Sequence, residues 1–122
     1  MSSIAFIGGG NMASCIIGGM TANGFSAQDI IVSEPGEQSR LRLEDTYGLT
    51  TLTDNQAAAK QADLIVLAVK PQIMRSVAID LAPALGANSV VVSIAAGIPL
   101  RALQTWLGAY TAIVRAMPNT PA

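Results

Sequence analysis

Ile4-Ala5-Phe6-Ile7-Gly8-Gly9-Gly10-Asn11-Met12-Ala13 is a short apolar run that leads straight into a glycine turn. The run predicts a buried strand, and the residues after the turn predict a helix. Gly8, Gly10 and Ala13 have the spacing G-x-G-x-x-A. Each small residue has a physical task at such a turn. The first permits the tight bend, the second lets main chain approach a pyrophosphate with no side chain between, and the third lets the helix pack close to the sheet. The helix that follows presents unpaired N–H groups and roughly half a positive charge at its start. The spacing alone is weak evidence. Its position after an apolar strand and before a helix makes it a candidate dinucleotide-binding turn.

Outward from this turn, strand and helix signals alternate. Strands are expected at 4–7, 30–33, 50–52, 64–69, 90–94 and 112–115. Helices are expected at 11–22, 37–47, 54–61, 72–85 and 99–107. Asn23-Gly24 supplies a left-handed stop to the first helix. Asp54 is a natural N-cap, and Pro99 suits a first helical turn. In the first helix Met12, Cys15, Ile16, Gly19 and Met20 are read as one inward face, which puts Cys15 in the core. Leu41 and Leu43 are read as partly inward in the second. Regular alternation implies an α/β domain, a doubly wound parallel sheet of Rossmann type with strand order 3-2-1-4-5-6.

Composition agrees. The 122 residues are 51% hydrophobic and only 12% charged. A parallel sheet buried on both faces has that balance, because its strands are apolar throughout. One domain of this length can bury a substantial core. A net charge of −1 gives no electrostatic case for nucleic acid or an anionic membrane. The apolar runs fall short of the roughly 20 residues that span a bilayer. One Cys excludes an internal disulfide and, with the absence of a signal-like N-terminus, points to the cytoplasm. There is no His. A zinc site is therefore not expected, and a Ser-His-Asp or Cys-His centre is excluded within this chain.

Candidate ligand-binding positions follow from the sheet's carboxyl edge. The residue after the second strand, about 20 beyond the glycine turn, is where a ribose is gripped. Ser33-Glu34-Pro35 occupies that place. Glu34 either accepts hydrogen bonds from an adenosine ribose and repels a 2′-phosphate, or is a solvated loop charge. Ser33, Gln38 and Arg40 are close enough in sequence to bind such a phosphate. Ala68-Val69-Lys70-Pro71-Gln72 and Ser93-Ile94-Ala95-Ala96-Gly97 end the fourth and fifth strands, where a cofactor crosses the sheet. The plainer alternative makes Lys70 a surface residue and Ala95–Gly97 a tight turn.

Phe6-Ile7-Gly8-Gly9-Gly10-Asn11-Met12, Ala68-Val69-Lys70-Pro71, Val92-Ser93-Ile94-Ala95-Ala96-Gly97 and Arg115-Ala116-Met117-Pro118-Asn119-Thr120-Pro121 together resemble pyrroline-5-carboxylate reductase. The resemblance covers all 122 residues, and the last stretch is its most specific part. It implies hydride transfer from NADPH or NADH to the cyclic imine of 1-pyrroline-5-carboxylate in proline biosynthesis. By position, it implies Gly8, Gly10, Asn11 and Met12 at the pyrophosphate. Ser33, Glu34 and Asn55 would lie near the adenosine, and Ala68, Val69, Lys70 and Pro71 at the nicotinamide ribose. Ala95, Gly97, Met117, Pro118 and Asn119 would frame the nicotinamide. Glu34 departs from the hydroxyl residue often found in NADP-preferring members. No catalytic residue is assigned within this chain. The resemblance further implies a helical second domain, not in this sequence, that forms a homo-oligomer and supplies most of the substrate pocket. Two other readings stay open: a nucleotide-binding or regulatory module without turnover, and a related β-hydroxyacid or deazaflavin-linked dehydrogenase domain.

Overall fold

All six strands are parallel, in the order β3-β2-β1-β4-β5-β6, as the alternation predicts. The computed structural model describes residues 3–95, 97–108, 110 and 112–116. Along the chain come β1 (Ile4–Ile7), α1 (Asn11–Ala22), β2 (Ile30–Ser33), α2 (Glu37–Tyr47), β3 (Thr50–Leu52), α3 (Asn55–Lys60), β4 (Leu64–Leu67), α4 (Pro71–Leu81), β5 (Val90–Ser93), α5 (Leu100–Trp106) and β6 (Ile113–Arg115). Short 3₁₀ turns at Ala27–Asp29 and Ala82–Ala84 complete the path. Among the described residues, no helix is long and apolar enough to cross a membrane.

The central register sets Ile4 beside Ile30 and Leu64, and Ile7 beside Ser33 and Leu67. All four β1 side chains are buried, which is why this strand reads as a continuous apolar run. Side chains alternate across the sheet and feed two cores. Ala5, Ile7, Ile65, Leu67 and Val91 pack with α3, α4 and α5 through Ala58, Met74, Leu81 and Leu103. Phe6, Val32 and Val66 pack with α1 and α2 through Ala13, Ile17 and Leu43.

Element ends follow local chemistry. Asp54 accepts from the N–H groups of Gln56 (2.9 Å) and Ala57 (3.4 Å), the N-cap its position suggested. Asn23 closes α1 by donating its side-chain amide to the Gly19 carbonyl at 2.7 Å. α4 starts at Pro71, one residue earlier than read, because proline suits a first helical turn. It ends at Leu81, where the chain tightens into the 3₁₀ turn containing Pro83, a residue with no N–H to continue the ladder. β4 stops at Leu67 rather than Val69. Its neighbour β1 leaves the sheet at Gly8, and the last link is Ala68 N–H to the Ile7 carbonyl at 2.8 Å.

Three inward assignments are corrected. Cys15 and Gly19 are exposed, because α1 turns Ala13 and Ile17 inward and Cys15 and Gly19 each lie about 200° round the helix from one of these, Ala13 and Ile17 in turn. Leu41 is 50% exposed, whereas Leu43 is 2% exposed and Tyr47, one turn on, packs beside it. Among the described residues, nothing covers β5 and β6 fully on the α1 side. Val90 is 38% and Val114 52% exposed, and a groove of about 320 Å³ lies between Ile16 and Met20 of α1 and Leu64, Val92 and Ile94 of the sheet.

The contrast in burial sets an expectation. Leu81, fully buried, should lose about 2–5 kcal/mol on replacement by Ala. Leu41→Ala should stay within roughly 0.5 kcal/mol of the parent. Urea denaturation of the two variants measures both; similar losses would mean that the core lies elsewhere.

Candidate functional site

Beyond the carboxyl ends of β1, β2 and β4 lies a cleft of about 260 Å³. Its walls include Gly8, Gly9, Gly10, Ser33, Glu34, Pro35, Asn55, Ala68, Val69 and Lys70, with Ile73 and Val77 from α4. This is the edge where an open parallel sheet binds ligands, at the point where strand order reverses.

The three glycines do three different things. Gly8 has φ +102° and donates its N–H to the Ser33 carbonyl at 2.8 Å. A Cβ there would stand 2.8 Å from the Ala68 carbonyl oxygen, so the turn threads between β2 and β4 with room only for hydrogen. Gly9 faces inward, where a Cβ would meet Leu43 at 3.0 Å and Val32 at 3.2 Å. Gly10 is exposed, and a Cβ there would meet no atom within 4 Å. The space in front of Gly10 is free for a ligand. Gly10 is also the N-cap of α1; among the described residues no side chain caps that helix, and its first turn holds no acidic residue. The donors of that first turn are therefore left for an anion. Ala13 is fully buried against the sheet, as the third small position requires.

At the end of β2 the side chains are fixed. The buried Ser33 hydroxyl donates to Asn55 Oδ1 at 2.6 Å, which ties the start of α3 to the cleft floor. Glu34 is half-buried. Its Oε1 accepts from Gly9 N–H and its Oε2 from Gly36 N–H, both at 2.8 Å. Both Glu34 oxygens are thereby tethered to main chain. Arg40 Nη1 donates to the carbonyls of Glu34 and Pro35, each at 2.9 Å, and braces the loop from α2.

The remaining expected positions divide. Ala68, Val69 and Lys70 line the cleft, with Lys70 also the N-cap of α4. Pro71, Asn11 and Met12 sit on the first turns of their helices and do not line it. Ala95 and Gly97 (φ +79°) lie beyond β5, also away from its walls. Met117, Pro118 and Asn119 fall outside the described residues. Three contributors escaped the sequence reading: Gly9 as a donor to Glu34, and Ile73 and Val77 as an apolar wall. The spacing of Ile73 and Val77, one helical turn apart just after Lys70-Pro71, is the signal that could have found that wall. At the end of β5 the Ser93 hydroxyl is buried and finds no hydrogen-bond partner among the described residues.

Residues 3–97 match the family model described as NADP oxidoreductase, coenzyme F420-dependent. The chain belongs to this family. Within it, the similarity runs to pyrroline-5-carboxylate reductases, as the sequence resemblance implied. The Pseudomonas aeruginosa enzyme of that name is 48% identical over 119 residues, which are 98% of this chain and 44% of the relative. The structure of a pyrroline-5-carboxylate reductase from Coxiella burnetii superposes with a TM-score of 0.94 at 40% identity, over 98% of this chain and 45% of that one. A Plasmodium falciparum pyrroline carboxylate reductase, solved with NADP bound, has a TM-score of 0.85 at 28% identity, over 98% of this chain and 43% of its own. The chain thus spans less than half the length of these relatives.

The constraint at Gly8 is open to test. Gly8→Ala should cost at least about 1–3 kcal/mol from the left-handed backbone alone, with the contact on Ala68 added. Thermal or urea unfolding reads the loss, and a variant as stable as the parent would show that the turn can move off β4.

Proposed function

We propose that this chain is the dinucleotide-binding domain of a pyrroline-5-carboxylate reductase. The observation that carries the reading is the Gly10 cradle: main chain with open space before it, at the start of a helix whose first turn has no capping side chain. The residues fit NAD(P)H, which when bound supplies a hydride for reduction of the cyclic imine of 1-pyrroline-5-carboxylate to proline. Gly8 shapes the turn; Gly10, Asn11 and Met12 offer main-chain donors to the pyrophosphate. Ser33, Glu34 and Asn55 hold the adenosine side. Ala68, Val69, Lys70 and Pro71 guide the ligand across the sheet toward Ala95 and Gly97. Met117, Pro118 and Asn119 complete the nicotinamide end in the reading taken from the sequence.

The chemistry asks little acid catalysis of this domain. A ring imine enters already protonated, and an iminium accepts hydride without a strong general acid, so positioning and electrostatics carry most of the rate. A cofactor domain with no His is compatible with that reaction. In this proposal the relatives' additional chain is a helical domain that supplies most of the imine's pocket and the homo-oligomer contact, and the enzyme works in the cytoplasm. The Met117–Pro121 stretch argues for this substrate over those of the β-hydroxyacid and deazaflavin-linked dehydrogenases.

Two measurements test the proposal. Calorimetry should detect dinucleotide binding to the 122-residue chain. Gly10→Val should weaken it at least about tenfold, or ~1.4 kcal/mol, with unfolding shifted by no more than the ~1 kcal/mol of a poorer N-cap. Unchanged affinity would remove Gly10 from the site. In a coupled assay with 1-pyrroline-5-carboxylate, the chain alone should turn over more than about tenfold more slowly than a full-length relative, because the imine must be held near 3–3.5 Å from the hydride donor. Turnover at the relative's rate would place the substrate site within this domain.

A further inference from the structure

Resting on the dinucleotide reading, we infer that Glu34 fills, with its own carboxylate, the anion site that a ribose 2′-phosphate would need, so that this chain selects NAD(H) over NADP(H). The family's description names NADP and the Plasmodium falciparum neighbour was solved with it; the cleft of this chain points the other way.

Two loops converge on one carboxylate. Gly9, in the glycine turn, and Gly36, the N-cap of the eleven-residue helix α2, each donate a main-chain N–H at 2.8 Å, one to each Glu34 oxygen. Main-chain donors from a turn and a helix start are the arrangement that binds phosphate in other proteins. Here both donors are taken. The fit is close: a Cβ at Gly36 would lie 3.0 Å from Glu34 Oε2. Arg40, on α2, donates Nη1 to the carbonyls of Glu34 and Pro35.

The chemistry of the two riboses then separates them. An ionised carboxylate is acceptor-only, with about four lone-pair sites. Two serve Gly9 and Gly36, and Glu34 forms part of the cleft wall beside Gly10 and Asn55. A ribose with free 2′- and 3′-hydroxyls can donate to the sites left over. A 2′-phosphate at neutral pH brings acceptors and negative charge; it meets a fixed negative charge and finds the N–H pair already occupied. Shortening residue 34 reverses this. Without the carboxylate, Gly9 N–H, Gly36 N–H and the free guanidinium donors of Arg40 form a vacant anion site at the ribose.

Calorimetry on the 122-residue chain with NADH and NADPH, for the parent, Glu34→Ser and Glu34→Gln, tests the inference. The parent should bind NADH at least about tenfold more tightly than NADPH. Glu34→Ser should bring NADPH to equal or better affinity, by gaining NADPH rather than only losing NADH. Glu34→Gln keeps the length and one acceptor, and should narrow the ratio at least about threefold; it decides the matter if the Ser variant does not fold by circular dichroism. NADPH bound as tightly as NADH by the parent would overturn the inference and leave the dinucleotide reading standing. So would an unchanged ratio in folded variants. Failure of the parent to bind either dinucleotide would overturn that reading, and the selectivity with it.

Discussion

At Gly8 there is room for a hydrogen atom and for nothing larger. Its N–H is held by the Ser33 carbonyl, and a Cβ would stand only 2.8 Å from the Ala68 carbonyl oxygen. The β1 chain therefore passes between the ends of β2 and β4 and must turn out of the sheet. The left-handed φ sets the direction of that turn, and α1 follows from it. Everything at the cleft is referred to this point: the open side of Gly10, the inward face of Gly9, the close seating of Ala13. A larger residue would push β4 away and with it Ala68, Val69 and Lys70, the opposite wall.

The centre of the sheet was legible because β1, β2 and β4 are runs whose side chains are nearly all buried, and such runs stand out from polar helices. The helix faces were harder. α1 is rich in small and apolar residues on several sides, so its pattern admits more than one inward face, and Cys15 was placed on the wrong one. Leu41 misled for a different reason: α2 needs only Leu43 and Tyr47 to cover its half of the sheet, which leaves Leu41 in solvent.

Most of the cleft was legible too, because the carboxyl edges of β1, β2 and β4 are points the topology brings together. What spacing alone does not carry is hydrogen bonding between loops. The sequence places Glu34 at the right edge but leaves its carboxylate free to face solvent. The decision comes from Gly9 and Gly36, positions 25 residues back and two ahead, which converge only in the fold. Ser33 and Asn55 are a similar case, 22 residues apart and joined at 2.6 Å. These tethers fix the cleft walls, so little loop freedom remains to be lost on association.

The open face of β5 and β6 has a consequence of another kind. Val90 and Val114 lie in water beside the groove at Met20 and Ile94, on a molecule whose net charge is only −1. A nearly neutral surface offers little mutual repulsion between molecules, and an apolar strip attracts its like. For the 122-residue chain the consequence is colloidal, since this strip favours self-association. Its solubility should fall as sulfate or phosphate is added, since excluded salts strengthen the burial of apolar surface, and a few acidic substitutions along that strip would counter the effect without touching the cleft.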